Sequence, residues 1–165
     1  MKHKSKKKNN KVKQKVIAVS GGFDPLHIGH VRLIKEAKRM ADKLVVILNN
    51  DNWLRKKKGS EFMRERDRKE ILEAIEGVDE VIITRHPKNP KYMSVHKELL
   101  FLRPDIFANG GDRNEKDASD PKSSQYKDAE ICRKLGIKIV FNVGNGGKIR
   151  SSSELLKAYS KKIKK

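Results

Sequence analysis

The chain has 165 residues, of which 36% are hydrophobic and 37% are charged, and its net charge is +19. This length suits a single domain with a core of its own. The one cysteine, Cys132, excludes an internal disulfide and fits a reducing, cytoplasmic compartment. No apolar run approaches the length of a transmembrane helix, so the sequence predicts no membrane span.

The positive charge is concentrated at the two ends of the chain. Residues 1–15 carry eight lysines and residues 157–165 carry five, without any acidic residue, which leaves +6 for the body between them. Like-charge runs of this kind usually stay disordered. We therefore expect one domain at 16–156 between two basic tails. The tails could keep the protein in solution, contact nucleic acid or an anionic surface weakly, or direct it to the nucleus of a eukaryotic host.

Short apolar runs alternate with longer amphipathic segments after the first tail. The predicted strands are 16–19, 44–48, 81–83, 106–108 and 137–141. The predicted helices are 28–40, 64–76, 92–102, 124–135 and 152–159. This alternation predicts an α/β fold, a single Rossmann-like domain with a parallel five-stranded sheet and helices on both faces. The charged segment 113–124 is predicted to be a mobile loop.

The first strand runs directly into the sequence SGGFDPLHIGH at residues 20–30, which then opens the first helix. Glycines let backbone N–H groups approach an anion, and a helix start offers unpaired N–H donors. His27 and His30 stand three residues apart there, so both can project toward one ligand. The alternatives are plain cap residues or metal ligands, but no partner has the usual zinc spacing. The pattern predicts a phosphate pocket.

Three further polar segments also follow predicted strands. They are 49–51 (Asn-Asn-Asp), 110–112 (Gly-Gly-Asp) and 144–153. Because the carboxyl ends of parallel strands share one edge of the sheet, we expect these segments to gather with the glycine turn at one site.

Together these motifs resemble the nucleotidylyltransferase superfamily, whose signature is a strand, a G-x-F-D-x-x-H-x-G-H turn and a helix. The likeness covers residues 16–156 and includes Arg68, the Val-Asp-Glu-Val segment 78–81 and the serines 151–153. Within this superfamily the chain is similar to glycerol-3-phosphate cytidylyltransferase and to the sugar-phosphate (heptose) adenylyltransferases. The resemblance implies transfer of a nucleotidyl group from ATP or CTP, with Mg²⁺, to a small phosphorylated acceptor and release of pyrophosphate.

The resemblance also implies the catalytic residues. His27 and His30 would bind the triphosphate and stabilise the transition state at the α-phosphorus. Lys58 would contact the acceptor phosphate or the triphosphate. The planar guanidinium of Arg68 would bind a phosphate through two parallel hydrogen bonds.

Other residues are implied contacts of the nucleotide. In the signature they are Gly21, Gly22, Phe23, Asp24, Gly29 and both histidines. After the later strands they are Gly111, Asp112, Lys148, Arg150, Ser151, Ser152 and Ser153. The serines and their cationic neighbours would hold the phosphates that leave as pyrophosphate. Ser151 and Glu154 also have the spacing of a capping box, so a well-capped helix is the alternative.

For the acceptor, the implied contacts are Asp51, Trp53 and Lys58, with Lys58 placed in a loop. Trp53 either stacks on the acceptor or packs its own loop. Asp24 either caps its turn or orients the site or its Mg²⁺. Residues 145–147 (Asn-Gly-Gly) stand where cytidylyltransferases carry an arginine, and glycines there leave room for a purine. This favours ATP over CTP.

Two other functions remain open at this stage. His27-Ile28-Gly29-His30 is also the HIGH motif of class I aminoacyl-tRNA synthetases, although the chain has no KMSKS sequence and no room for an anticodon-binding domain. A protein of the same fold could instead bind nucleotide or RNA without turnover, using its lysine tails. The sequence leaves a homodimer open.

Overall fold

The computed structural model describes residues 13–111, 113–144 and 150–163. A parallel five-stranded sheet has the order β3-β2-β1-β4-β5. Its strands are β1 (Val16–Gly21), β2 (Lys43–Leu48), β3 (Glu80–Ile83), β4 (Ile106–Ala108) and β5 (Lys138–Val140). The helices are α1 (Ile28–Lys38), α2 (Asp51–Lys58), α3 (Glu65–Glu73), α4 (His96–Leu102), α5 (Glu115–Ser119), α6 (Ser124–Leu135) and α7 (Ser152–Ile163). The predicted α/β fold is confirmed.

Helices cover both faces of the sheet. Leu33 of α1 and Leu72 of α3 pack on the face that carries Val19. Leu99 of α4 and Cys132 of α6 pack on the opposite face. The central strands β1 and β2 are buried on both faces along most of their length, which is why they occur in the sequence as nearly unbroken apolar runs rather than as alternating ones.

The order of the strands places a crevice beside β1. This strand pairs with β2 on one side and with β4 on the other, so the chain reverses its direction of winding there. Ligands of open α/β sheets bind at the carboxyl ends of the strands next to such a switch point. Gly21 ends β1, and Asn109 follows β4.

Two short helices replace predicted loops. Lys58 is the last residue of α2 rather than part of a loop. The Asn50 side chain caps this helix by accepting from the Trp53 N–H at 3.0 Å, and Gly59, at φ +89°, ends it. In the predicted mobile loop 113–124, α5 forms with Asn114 as its N-cap. The predicted helix 92–102 begins later, at His96.

At the carboxyl end, α7 continues to Ile163, so the predicted domain boundary at residue 156 falls inside a helix. None of its residues is buried. The predicted tail 1–15 lies almost wholly outside the described residues. Within the described ranges, no helix combines the length and the apolar character that crossing a membrane requires.

Candidate active site

A cleft of about 380 Å³ opens at the carboxyl ends of β1 and β4. Eleven of the predicted site residues line it: Gly21, Phe23, His27, Gly29, His30, Lys58, Gly111, Arg150, Ser151, Ser152 and Ser153. The glycine turn, the start of α1, the end of α2 and the start of α7 therefore meet at one place. Asp112 and Lys148 lie outside the described residues, as do residues 145–147, on which the prediction of ATP over CTP rests.

The two histidines form a stacked pair at the start of α1. Their ring centroids are 3.8 Å apart, and Phe23 packs against His30 at 4.8 Å. His27 Nδ1 accepts from the Gly29 N–H, and His30 Nδ1 accepts from the His27 N–H, both at 3.2 Å. Because a backbone N–H can only donate, each neutral ring carries its proton on Nε2. Each histidine therefore presents an Nε2–H donor.

Both rings are held in the neutral form. Burial, the neighbouring His27 and Lys58 lower the pKa of His30 to about 3. Burial also lowers the pKa of His27, with further contributions from Lys58 and Arg150. At neutral pH the pair donates hydrogen bonds without adding charge and without acting as a proton reservoir.

Positive charge in the cleft comes from lysine and arginine instead. Lys57 and Lys58 reach it from α2, Arg113 from the segment after β4, and Arg150 from the segment before α7. Burial lowers the pKa of Lys58, and its Nζ donates to the Asp24 carbonyl oxygen at 2.8 Å. No carboxylate is among the described residues that line the cleft. Such a lining suits a polyanion.

The amino end of α7 is joined to the signature turn. Ser152 Oγ donates to the Pro25 carbonyl oxygen at 2.8 Å. Ser151 and Ser153 flank it on the cleft wall. The first N–H groups of a helix have no partner within the helix, so this end adds donors and a positive partial charge to the cleft.

Most of the chain that forms this cleft matches a known protein family. The model of the family "Cytidylyltransferase-like" matches residues 18–140, most of the chain. The chain belongs to this family. The nucleotidyltransferase class predicted from the signature is thereby confirmed.

Relatives of this cytidylyltransferase-like protein include a FAD synthase of Thermococcus sibiricus, 39% identical over 104 residues, which are 62% of this chain and 67% of that protein. The bifunctional protein HldE of Koribacter versatilis is 34% identical over 60% of this chain, but that match spans only 20% of HldE. Among solved structures, a lipopolysaccharide core biosynthesis protein from Thermoplasma volcanium is 26% identical with a TM-score of 0.63, covering 81% of this chain and all of that one.

Asp24 was predicted to orient Mg²⁺ and Arg68 to bind phosphate, but both side chains are engaged in hydrogen bonds within the protein. Asp24 is 1% exposed, and its carboxylate oxygens accept from the Phe62 and Met63 N–H groups at 2.7 Å each. Arg68 is 0% exposed and does not line the cleft. Both side chains therefore brace the glycine turn of this cytidylyltransferase-like fold from behind rather than reaching into the cleft.

Three other predicted contacts also lie away from the cleft lining. Asp51 accepts from Arg68 Nη2 at 2.8 Å and is nearly buried. Trp53 is 5% exposed, and its Nε1–H donates to the Met93 carbonyl oxygen at 2.8 Å, so it packs the fold rather than stacking on an acceptor. At Gly22, a Cβ would come within 2.9 Å of Leu54, so this glycine permits close packing of α2.

Ser20, Gly110 and Gly144 also line the cleft, within segments that were expected to gather there. Four other lining residues were not predicted: Leu33, Lys57, Arg113 and Val143. Two of these four carry a signal that could have found them. Lys57 directly precedes the predicted Lys58, and Arg113 directly follows the Gly-Gly-Asp segment after β4. Leu33 and Val143 give no signal because apolar residues in a helix or after a strand look like core.

The depressed pKa of His30 predicts a specific pH dependence of stability. Unfolded histidine takes up a proton below about pH 6.5, whereas folded His30 stays neutral to about pH 3. Stability tied to this residue is therefore present above pH 6.5 and lost as the pH falls. We expect the unfolding free energy of the wild type relative to His30→Gln to fall by roughly 1.4 kcal/mol per pH unit between pH 6 and 4. Urea titrations at several pH values would measure it, and a constant difference would contradict it.

Proposed function

We propose that the protein transfers the adenylyl group of ATP to a small phosphorylated acceptor and releases pyrophosphate. The observation that carries this proposal is the pair of neutral histidine donors beside a cleft that four cationic side chains line within the described part of the chain. The FAD synthase relative supports the adenylyl part, because FAD contains an AMP unit joined to a flavin phosphate.

The chemistry needs no base from the protein. A phosphate oxygen of the acceptor attacks the α-phosphorus, the bond from that phosphorus to the bridging oxygen of the β-phosphate breaks, and pyrophosphate leaves with the electron pair. A phosphate monoester has already lost most of its second proton at pH 7. The task left to the protein is positioning and charge neutralisation, which fits histidines that donate hydrogen bonds and do not titrate.

Each wall of the cleft would then have one task. His27 and His30 would donate from Nε2 to the oxygens of the α-phosphate, where charge is redistributed in the transition state. Arg150 and the start of α7 would hold the β- and γ-phosphates. Lys58, fixed by its hydrogen bond to the Asp24 carbonyl oxygen, would draw the acceptor phosphate toward the α-phosphorus.

Magnesium would enter with the nucleotide. No group of three metal-ligating side chains occurs among the described residues, and the carboxylate of Asp24 is already taken. Mg²⁺ is commonly held by substrate phosphates and water with few protein ligands. The described residues fit this arrangement, in which the ion neutralises the phosphate chain.

For the base, the proposal is adenine. Leu33 and Val143 give the cleft an apolar wall, and a Cβ on Gly110 would come within 2.8 Å of the Val143 carbonyl oxygen. The Gly144 N–H donates to Glu36 at 2.7 Å, which holds this loop against α1. Isothermal titration with Mg²⁺ should show ATP binding at least tenfold tighter than CTP, about 1.4 kcal/mol. Tighter binding of CTP would overturn the choice of base.

A screen of pyrophosphate release tests the reaction itself. ATP, CTP, GTP and UTP would each be combined with FMN, glycerol 3-phosphate and a panel of sugar phosphates, and the product would be identified by mass. The double variant His27→Asn with His30→Gln controls for contaminating enzymes. We expect release with ATP and one acceptor class. Salt-sensitive binding of nucleic acid without pyrophosphate release would instead favour a binding protein, and release dependent on an amino acid would indicate aminoacyl adenylation.

A further inference from the structure

One side of α1 runs along the cleft. His30 and Leu33 stand three residues apart on this helix and both line the cleft, and Glu36 follows at the same spacing. Residues three apart on a helix are neighbours on its surface. The helix therefore carries in sequence a histidine donor of the site, one part of the apolar wall and, beyond that wall, a carboxylate.

Glu36 joins α1 to the loop that follows β5. The Gly144 N–H donates to Glu36 Oε2 at 2.7 Å, between residues that are 108 positions apart in the chain. Gly144 has φ +107°, and a Cβ at this residue would lie 3.1 Å from the Leu33 backbone nitrogen. The loop therefore touches the backbone of α1 at a glycine, and the carboxylate holds it at that point.

The loop that Glu36 holds supplies the other part of the apolar wall. Val143 directly precedes Gly144, is 5% exposed and lines the cleft together with Leu33. The Val143 N–H donates to the Asn109 carbonyl oxygen at 3.1 Å. The loop is thus fixed to the end of β4 through Val143 and to α1 through Gly144, so the position of the wall depends on Glu36.

The groups proposed to bind phosphate have anchors of their own. Ser152 Oγ donates to the Pro25 carbonyl oxygen at 2.8 Å, which ties the start of α7 to the signature turn. The rings of His27 and His30 accept from backbone N–H groups at the start of α1. Because these hydrogen bonds do not pass through Glu36, loosening the loop after β5 should leave the phosphate-binding groups in place.

We infer that Glu36 is a positioning residue for the nucleoside: it holds Val143 beside α1 and so fixes the apolar wall on which the base rests. Glu36 is not among the described residues that line the cleft, so it acts through the loop and not by touching the substrate. The inference rests on the proposed function, because it takes the nucleotide of that reaction as the ligand.

The test compares a ligand that is only nucleoside with one that is only phosphate. Wild type, Glu36→Ala, Glu36→Gln and Gly144→Ala would be titrated with adenosine and with pyrophosphate, each as a competitor of a fluorescent ATP analogue in the presence of Mg²⁺. We expect Glu36→Ala to weaken adenosine binding roughly 3- to 10-fold, the factor for one hydrogen bond, and to leave pyrophosphate binding within about twofold of the wild type.

Two further variants separate this hydrogen bond from a general loss of structure. Glu36→Gln keeps an oxygen that can accept from the Gly144 N–H, so it should bind adenosine more tightly than Glu36→Ala does. Gly144→Ala sets a methyl group against the backbone of α1 at a positive φ, so it should reproduce the selective loss of adenosine with Glu36 intact. The control is Glu130→Ala, which removes an exposed carboxylate from α6 and should bind both ligands as the wild type does.

Three results would overturn the inference: unchanged adenosine affinity in Glu36→Ala, an equal loss for adenosine and pyrophosphate, or a Glu36→Gln variant no better than Glu36→Ala. Failure of the proposed function has a different signature. If the wild type prefers CTP, the same comparison is made with cytidine. Nucleotide binding without turnover would refute the reaction and leave this comparison intact, and a wild type that binds no nucleotide would refute both.

Discussion

Replacing His27 or His30 should lower turnover by about 10²–10³-fold while the protein remains folded. Each ring presents one Nε2–H donor to the cleft, because its Nδ1 accepts from a backbone N–H. A donor already in place acts most strongly where charge develops in the transition state, so the loss should fall mainly on kcat rather than on KM. Steady-state rates with ATP and the acceptor found in the screen would measure it.

The choice of substitution separates chemistry from folding at His27. This residue is the N-cap of α1, and an alanine there would cost about 1 kcal/mol of stability. Asparagine caps a helix well but cannot place a donor where Nε2 lies. We therefore expect His27→Asn to keep the melting temperature and to lose turnover as His27→Ala does. Turnover near that of the wild type in His27→Asn would show that the ring serves only as a cap.

The strands and their order of appearance could be predicted because burial on both faces leaves a plain signal. Residues 106–108 and 124–135 were predicted with the observed bounds of β4 and α6. The missed helix α2 did carry its signals, an asparagine cap and a terminal glycine, but its four consecutive basic residues look like a solvated loop. In α2, where the apolar pattern is weak, the basic composition therefore predicted a loop although the chain forms a helix.

The residues that line the cleft could be predicted where their position along the chain fixes the direction of the side chain, and could not where several directions are open. A histidine at a helix start after a glycine turn can face only the crevice, so His27 and His30 fall where expected. A charged side chain in the middle of a helix can point toward a ligand or toward backbone carbonyls. Only the packing of α3 behind the turn decides that Arg68 does the second.

The second large effect is expected at Arg68, and it is an effect on stability. The buried guanidinium donates to the carbonyl oxygens of Gly22 at 2.6 Å, Asn49 at 2.8 Å and Met63 at 3.0 Å. Its Nη2 pairs with the Asp51 carboxylate at 2.8 Å. Arg68→Met would fill a similar volume but leave three carbonyls and a carboxylate without this donor. Removing one partner of a buried pair typically costs about 3–5 kcal/mol.

The matched variant at the other end of the pair should be milder. In Asp51→Asn the guanidinium keeps its three carbonyl acceptors, and an amide oxygen can still accept from Nη2. Asp51 is also within 4 Å of two other arginines, Arg55 at 3.8 Å and Arg64 at 3.9 Å, and is more exposed than Arg68. We expect a loss of about 1–3 kcal/mol, the range for a hydrogen bond to a charged group.

Urea unfolding of Arg68→Met, Asp51→Asn and Arg68→Lys would show whether Arg68 braces the fold or binds phosphate. A lysine supplies the charge but not the fork that reaches the end of β1, the end of β2 and the start of α3 at once, so Arg68→Lys should also be destabilised. If Arg68 is a brace, the folded fraction of each variant should bind ATP nearly as tightly as the wild type does. An unchanged urea midpoint together with lost ATP binding would mean instead that Arg68 leaves its buried position to bind phosphate. Four hydrogen bonds to protein atoms, three of them to backbone carbonyls, argue against such a movement, because each acceptor left behind would lie buried without its donor.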